Sequence, residues 1–253
     1  MDLIRQVYLK FQKKKFNKPF HPVGVARKES FLIVPSERIK EFLGSLSFIA
    51  GMRKLGEVLL LLPETFGIYL ESFRVNFFQI IYYRRAPQIL TREFKELKNQ
   101  LSKISCRWLI DLNPEPNLSL PVLVPVEKRV AFYNQKSFPL YNILIKGGLK
   151  AMVDFFQIPN IDPISLFRFP KTELRAVARE LPEKKPLLFA NQIENLGEAL
   201  DHLSWPGSVV VSKKNKDEIT RDLKKLYLCD AYFGPDDEMC EFARIFKKEI
   251  FTK

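Results

Sequence analysis

Residues 29–64 contain two continuous apolar runs on either side of one amphipathic stretch. The runs are residues 31–34 and 58–62, and the stretch between them has apolar residues at Ile39, Phe42, Leu43, Leu46, Ile49 and Ala50. That spacing is typical of a helix, whereas short continuous apolar runs indicate strands that are covered on both faces. The pattern therefore predicts a β-α-β unit with a right-handed crossover. Any ligand is then expected at the turn at residues 35–41, where the first strand ends.

The same alternation continues to residue 157. We predict further strands at residues 77–83, 107–112 and 128–133, and helices at residues 66–73, 92–104 and 141–157, the last interrupted by Gly147 and Gly148. Thr91 is a suitable N-cap for the helix that follows it. Because alternating strands and helices favour a doubly wound parallel sheet, residues 29–157 are expected to form a Rossmann-like α/β domain.

A proline-rich segment, residues 158–185, separates this domain from a second and smaller alternation. The segment contains one predicted helix, at residues 171–181. Beyond it we predict strands at residues 186–190, 208–212, 229–233 and 249–252, and helices at residues 193–203, 217–226 and 236–247. Residues 186–253 are therefore expected to form a small second α/β domain with a linker before it.

The first 28 residues carry much of the net charge. The whole chain has a formal charge of +12, and residues 1–28 contain eight lysines and arginines against one aspartate, which gives +7. Residues 3–15 have the spacing of an amphipathic helix, and residues 17–28 have the composition of a linker. The helix has an apolar and aromatic stripe and a basic end, formed by Ile4, Val7, Tyr8, Phe11, Lys13, Lys14 and Lys15.

Two interpretations of this helix remain open. It lies on an anionic membrane surface with its aromatic residues in the interface, or it packs on the domain and leaves a solvated basic face. Nucleic-acid binding is a third and weaker interpretation, because the rest of the chain is only mildly basic and contains no known nucleic-acid-binding motif.

The composition bears on membrane spans, metal sites and cellular location. The apolar runs are shorter than the roughly 20 residues that span a bilayer, and no signal-peptide pattern opens the sequence. Three cysteines and two histidines show no metal-binding spacing, so we expect neither a metal nor a cofactor. A reducing, cytoplasmic location is expected, with a peripheral position at the inner face of the plasma membrane if the first helix binds lipid.

Two stretches resemble the ADP-heptose:lipopolysaccharide heptosyltransferases of glycosyltransferase family 9. Residues 31–54 are similar to that family's opening strand and its Arg-Ile-Gly-Asp helix, and residues 229–246 are similar to its Asp-Ser-Gly-Pro-Met-His motif. Asp230, Gly234, Asp236 and Ala243 coincide with family residues. The resemblance implies a GT-B fold, in which two Rossmann-like domains with parallel sheets face one another, and inverting transfer from a nucleotide sugar to an anionic glycan or glycolipid.

The resemblance also implies roles for particular residues. Glu41 stands where the family has the aspartate that acts as general base. Acceptor-binding residues are then expected around the first strand's turn: Ser36, Arg38 and Lys40. Arg84 and Arg85 follow the third strand, and from that position they either contact an anionic acceptor or are simply solvated. Donor-binding residues are expected at the second motif and at a strand end before it: Gly234, Asp236, Asp237, Lys213 and Lys214. Asp111 ends the fourth strand at the same edge, where it either lines the site or caps a turn.

The departures from the family fall on these positions. Lys40-Glu41 replaces the family's Gly-Asp, and Asp237 and Glu238 replace its Ser-Gly. Three acids at a helix start repel a diphosphate, although acids there are also good helix caps. Two functions therefore remain open, an active glycosyltransferase and a degenerate relative that serves as a binding or scaffolding module, beside the hypothesis of an unrelated two-domain α/β protein.

Overall fold

A computed structural model describes residues 2–17, 29–70, 79–124, 126–191, 196–212 and 218–252. The chain divides into two compact units. The first unit comprises Met1–Phe66 and Asn76–Ile161, and the second comprises Gly67–Val75 and Asp162–Lys253. Each unit is built around its own parallel sheet, which is the α/β architecture that the sequence predicted.

The first unit has six parallel strands among the residues described, in the order β3-β2-β1-β4-β5-β6. Its strands are β1 Glu29–Val34, β2 Gly56–Pro63, β3 Gln79–Tyr83, β4 Trp108–Asp111, β5 Lys128–Phe132 and β6 Ile143–Ile145. Its helices are α1 Asp2–Phe16, α2 Ile39–Gly44, α3 Leu46–Met52, α5 Arg92–Leu101, α6 Leu120–Leu123 and α7 Gly148–Phe156. The strand order reverses between β1 and β4, and a doubly wound sheet binds its ligands at the carboxyl ends of such a strand pair.

The central strands are buried because both faces of the sheet are covered. On one face, Leu32 and Leu109 pack with α5, whose N-cap Thr91 accepts a hydrogen bond from Phe94 N at 3.1 Å as predicted. On the other face, Phe156 of α7 lies edge-on to Phe31 and Trp108, with ring centroids 6.3 and 5.4 Å apart. The continuous apolar runs of β1 and β2 follow from this double covering.

The helix α1 packs on the first of these faces. Tyr8, Leu9 and Phe16 contact the core cluster, and Lys13 donates a hydrogen bond to the backbone oxygen of Lys136 at 2.5 Å. Tyr8 and Lys13 belong to the predicted membrane-facing set, but the structure places both against the unit. The remaining apolar members of the set, Ile4, Val7 and Phe11, are exposed.

Two predicted helices differ from the structure. The helix expected at residues 39–50 is broken at Ser45, whose hydroxyl donates to the backbone oxygen of Phe42 at 2.7 Å and so competes with the helical bonding. The prediction of helix for residues 141–147 was wrong, because residues 143–145 form β6 beside β5. Gly147 and Gly148 then turn the chain with φ of +102° and +69° before α7 begins.

The second unit has a shorter sheet, with four parallel strands among its described residues in the order β10-β9-β7-β8. Its strands are β7 Leu187–Ala190, β8 Ser208–Val211, β9 Ala231–Gly234 and β10 Glu249–Thr252. Its helices are α4 Gly67–Leu70, α8 Lys171–Ala178, α9 Leu196–Leu203, α10 Ile219–Leu228 and α11 Glu238–Ile245. The order reverses between β7 and β9, which defines the ligand-binding edge expected in this unit.

None of the helices that the structure describes has the length and apolar character needed to cross a membrane.

Candidate functional site

The turn after β1 fixes the carboxylate of Glu41 at the carboxyl edge of the first sheet. Ser36, which is buried, donates its hydroxyl hydrogen to Glu41 Oε2, and the guanidinium Nη1 of Arg38 lies 3.1 Å from Glu41 Oε1. Ser36 Oγ also accepts a hydrogen bond from Arg38 N at 3.2 Å. The carboxylate is therefore oriented by a neutral and a cationic donor while its side chain remains partly exposed, an arrangement that can accept a proton from a bound hydroxyl.

Asp111 organises the neighbouring loop at the end of β4. Its side chain is fully buried and accepts hydrogen bonds from Tyr141 Oη at 2.6 Å, Asn117 N at 2.8 Å and Asn113 Nδ2 at 2.7 Å. Burial raises the pKa of Asp111, and these hydrogen bonds lower it only in part. Asn113 in turn accepts a hydrogen bond from Glu37 N at 3.2 Å. Of the two roles open for Asp111, the structure thus shows the turn cap.

A cavity of about 640 Å³ lies beside Glu41. Its walls come from the strand ends of β4, β5 and β6 and from the start of α7, and they are mostly apolar. At its rim the ammonium of Lys146 lies 4.4 Å from the centre of the Tyr133 ring, a cation–π contact. The apolar part of the lining includes Leu112, Pro114, Phe132, Ile145 and Leu149. Such a cavity can hold an apolar or aromatic body and direct a hydroxyl group to the Glu41 carboxylate.

The other predicted acceptor residues are not all near this cavity. Arg84 and Arg85 line a separate concavity of about 460 Å³ beyond β3, and Arg84 Nε lies 3.3 Å from the Glu64 carboxylate. Lys40 is half-buried on α2. The structure thus groups Ser36 and Arg38 with Glu41, and it separates the Arg84–Arg85 pair from them.

In the second unit, Asp237 caps the N-terminus of α11 with its own side chain. Its Oδ1 accepts hydrogen bonds from Met239 N at 2.9 Å and Cys240 N at 3.1 Å, and its Oδ2 accepts one from Asn191 Nδ2 at 2.9 Å. Tyr232 Oη lies 3.2 Å from Asp237 Oδ1. The carboxylate therefore occupies the backbone N–H groups with which a helix start binds a phosphate.

Residues next to Asp237 have their own partners within this unit. Asp236 forms an ion pair with Arg244 at 2.9 Å. Burial raises the pKa of Tyr69 to about 12, and the nearby carboxylate of Glu238 contributes a smaller part of this increase. A Cβ atom at Gly234 would lie 2.6 Å from Tyr232 Oη and 2.7 Å from the backbone oxygen of Asn191. This glycine is thus required by the packing of the unit itself. Lys213 and Lys214 lie outside the described residues.

Asn191 and Tyr232 were missed by the sequence reasoning. Asn191 follows β7 directly, at the carboxyl end of a switch-point strand, and that position was the available signal. Among the residues described, no cluster of three histidine, cysteine, aspartate or glutamate side chains could hold a metal ion.

No protein-family model and no curated protein matches the sequence. Solved structures do match. A glycosyl transferase family 9 protein from Veillonella parvula DSM 2008 superimposes with a TM-score of 0.65 at 9% identity, over 92% of this chain and 83% of that chain. Escherichia coli heptosyltransferase WaaC with ADP-2-deoxy-2-fluoro heptose gives 0.55 at 10% identity, over 88% and 87%. WaaC with ADP gives 0.51 at 11% identity, over 88% and 86%. At these identities the similarity shows the fold, which is the GT-B-like pair of Rossmann-like units that the sequence predicted.

Proposed function

We propose that this chain is a glycosyltransferase-like protein related to the heptosyltransferases, which binds a hydroxyl-bearing ligand in its first unit but has lost nucleotide-sugar transfer. The observation that carries the proposal is the Asp237 carboxylate on the N–H groups of α11. The fold it shares with WaaC, which was solved with ADP and with an ADP-sugar analogue, supports the relationship.

Two anions, the Asp237 carboxylate and a diphosphate, would compete for the N–H groups at the start of α11. The N-cap contact of Asp237 contributes about 0.5–2 kcal/mol to stability, and it is already made in the folded protein. A diphosphate at the same N–H groups would meet this carboxylate and those of Asp236 and Glu238. Each pair of like charges 4 Å apart costs about 1 kcal/mol in water and about 4 kcal/mol near a protein surface. The repulsion between the carboxylates and the diphosphate therefore exceeds the attraction of the helix dipole for the diphosphate, which is about 0.3–1 kcal/mol at an exposed site.

The first unit has a cavity and an oriented carboxylate that together can bind a ligand. The cavity beside Glu41 has a volume within the range of about 300–1,000 Å³ that is typical of small-molecule sites. Its apolar walls favour an apolar or aromatic body, and the oriented carboxylate favours a hydroxyl group on that body. In this proposal the first unit binds a hydroxyl-bearing ligand, and the protein does not act as a transferase.

Thermal unfolding with ADP, UDP and their sugars tests the proposal. We expect no stabilisation of the natural chain, whereas a ligand at a hundredfold excess over its dissociation constant would stabilise it by about 2.7 kcal/mol. Asp237→Ala frees the N–H groups and should gain a shift with ADP. Asp236→Ala removes the same charge but leaves the cap, so it is the matched control and should gain none. Stabilisation of the natural chain by any of these nucleotides would overturn the proposal.

The position of Glu41 favours a second candidate function, an active inverting glycosyltransferase. Glu41 would then be the base, the cavity would hold the acceptor, an anionic glycan or glycolipid, and Gly234, Lys213 and Lys214 would contribute to binding a nucleotide-sugar donor. Transfer by the natural chain that Glu41→Gln abolishes, and that the exposed control Glu57→Gln retains, would establish this alternative.

A further inference from the structure

The helix α1 has two apolar faces, and only one of them is covered by the unit. Tyr8, Leu9 and Phe16 pack against the core. The opposite face leaves large apolar side chains in solvent, with relative exposures of 75% for Leu3, 65% for Ile4, 45% for Val7 and 66% for Phe11. Large apolar side chains scattered singly on a surface are ordinary, but four on one helical face form a contiguous patch, which indicates an interaction site.

Contacts along its length hold α1 in this orientation. Near its start, Arg5 Nη2 donates a hydrogen bond to Gln88 Oε1 at 2.7 Å. Near its end, Lys13 Nζ donates to the backbone oxygen of Lys136, and the guanidinium of Arg129 lies 4.6 Å from the centre of the Phe16 ring. Turning the exposed stripe inward would break these contacts, so the stripe is a fixed feature of the unit's surface.

The two loops that hold α1 also carry exposed apolar side chains. Leu90, two residues after Gln88, is 61% exposed, and Phe138, two residues after Lys136, is 55% exposed. Leu90 has a φ of +68°, a left-handed conformation that is uncommon for a bulky residue. Exposed apolar side chains therefore also occur in the two loops that contact the ends of the helix.

The charge around the stripe identifies the partner. Lys10, Lys14 and Lys15 are exposed on the same helix, and residues 2–17 contain five lysines and arginines against one aspartate. A second copy of this chain would bring the same positive charge and be repelled, and a nucleic acid would leave the apolar stripe unused. An anionic bilayer surface matches both the apolar stripe and the positive charge, because apolar side chains enter the interface and lysines lie beside the headgroups.

We propose that the outward face of α1, with Leu90 and Phe138 at its ends, binds the first unit to the surface of an anionic lipid bilayer. Neither Glu41 nor the α11 cap takes part, so this proposal is independent of the proposed function. It also reconciles the two interpretations of α1, because the same helix packs on the domain by one face and presents the other to lipid.

Sedimentation of the full chain with vesicles tests the proposal. One set consists of phosphatidylcholine alone, and the other contains phosphatidylglycerol as about a third of the lipid. The natural chain should pellet with the anionic vesicles and much less with the neutral ones. Phe11→Ser should lower the partition coefficient about tenfold, whereas Val211→Ser, an exposed apolar residue on β8, should change it less than about twofold.

Charge reversal supplies a second matched pair. Lys14→Glu with Lys15→Glu should weaken binding to anionic vesicles about tenfold or more, and Lys184→Glu with Lys185→Glu, an adjacent exposed pair in the second unit, should have little effect. All of these side chains are exposed, and circular dichroism verifies that the variants are folded. Equal pelleting of Phe11→Ser and the natural chain would overturn the proposal. So would a lipid-free dimer that Phe11→Ser dissociates, because the face would then belong to a second copy.

Discussion

The edges at the carboxyl ends of the strands differ between the two units, although both units have a parallel sheet. In the first unit the switch-point strands β1 and β4 end beside an open cavity with one oriented carboxylate, Glu41. In the second unit the corresponding strands, β7 and β9, end at a network of Asn191, Tyr232 and Asp237 that occupies the helix start. The first unit therefore has an open cavity at this edge, whereas in the second unit the carboxylate of Asp237 occupies the N–H groups of the helix start.

The residues that form the fold are alike in both units. Gly56 opens β2 against Glu29 at the start of β1, and Gly207 precedes β8 against Pro186, just before β7. In both places a Cβ atom would lie within 2 Å of a backbone oxygen, 1.8 Å at Gly56 and 1.7 Å at Gly207. The sheets thus depend on Gly56 and Gly207, whereas the edge of the second unit depends on Asn191, Tyr232 and Asp237. Side chains can therefore fill that edge without disrupting the sheet.

The largest effect is expected from adding a methyl group at these two glycines. Gly56→Ala and Gly207→Ala should each lower the free energy of unfolding by about 3 kcal/mol or more, because the clash is with backbone that cannot rotate away. Gly44→Ala, with no atom within 4 Å of the added Cβ, should be neutral or stabilise by up to about 1 kcal/mol. Hydrogen exchange of peptides from each unit would measure the loss, and equal effects at Gly44 and Gly56 would contradict it.

Asp237→Ala is expected to have the next largest effect. It removes the cap of α11 and the 2.9 Å acceptor of the buried Asn191 amide, which keeps only the 3.4 Å contact with Tyr232 Oη, so it should cost about 2–3 kcal/mol in the second unit. Asp236→Ala loses a surface ion pair with Arg244 and should cost less than about 1 kcal/mol. Thermal unfolding distinguishes the two, and similar losses for both variants would show that the cap is not what stabilises this edge.

How far the sequence predicts the fold depends on whether an element has a detectable period. The runs of β1 and β2 were predicted because double burial produces continuous apolar stretches. The strand β6 was assigned to a helix because its three residues are too few to show any period, and pairing with β5 determines its conformation. Gly147-Gly148 was the local signal that a new helix begins there.

The candidate site was less predictable than the fold. The turn that holds Glu41 is local, since Ser36, Arg38 and Glu41 lie within six residues, so residue spacing was sufficient to group them. The closure of the second unit depends on Asn191 and Asp237, which are 46 residues apart in the sequence. Only the folded sheet brings them together, and the acids at the helix start predicted repulsion of a phosphate but not the network that replaces it.

Filling the cavity of the first unit with a side chain would close its edge, as the Asp237 network closes the edge of the second unit. Gly44 lines the cavity and has open space around it, so Gly44→Phe should leave stability within about 1 kcal/mol of the natural chain. Binding of 1-naphthol, an aromatic probe with one hydroxyl group, should weaken about tenfold or more when measured by fluorescence. Gly197→Phe in α9 is the control, because it also adds a large side chain in open space. Undiminished probe binding by Gly44→Phe would exclude the cavity as the site.

The smallest expected effect concerns pH, and it has opposite signs in the two units. Burial raises the pKa of Asp111 in the first unit, whereas a hydrogen bond from Lys247 lowers the pKa of the exposed Asp162 in the second. A raised carboxyl pKa means that stability is lost as pH rises through the folded pKa, and a lowered one means that stability is lost as pH falls through it. Asp162→Asn can still cap the short 3-10 helix Pro163–Leu166 but cannot ionise, so it should remove the contribution of Asp162 to the acid-side loss of stability in the second unit below about pH 4. Because Asp162 is exposed, the difference should be well under about 1 kcal/mol. Hydrogen exchange of second-unit peptides across this pH range would measure it, and an unchanged acid-side slope in Asp162→Asn would assign the loss to other carboxylates.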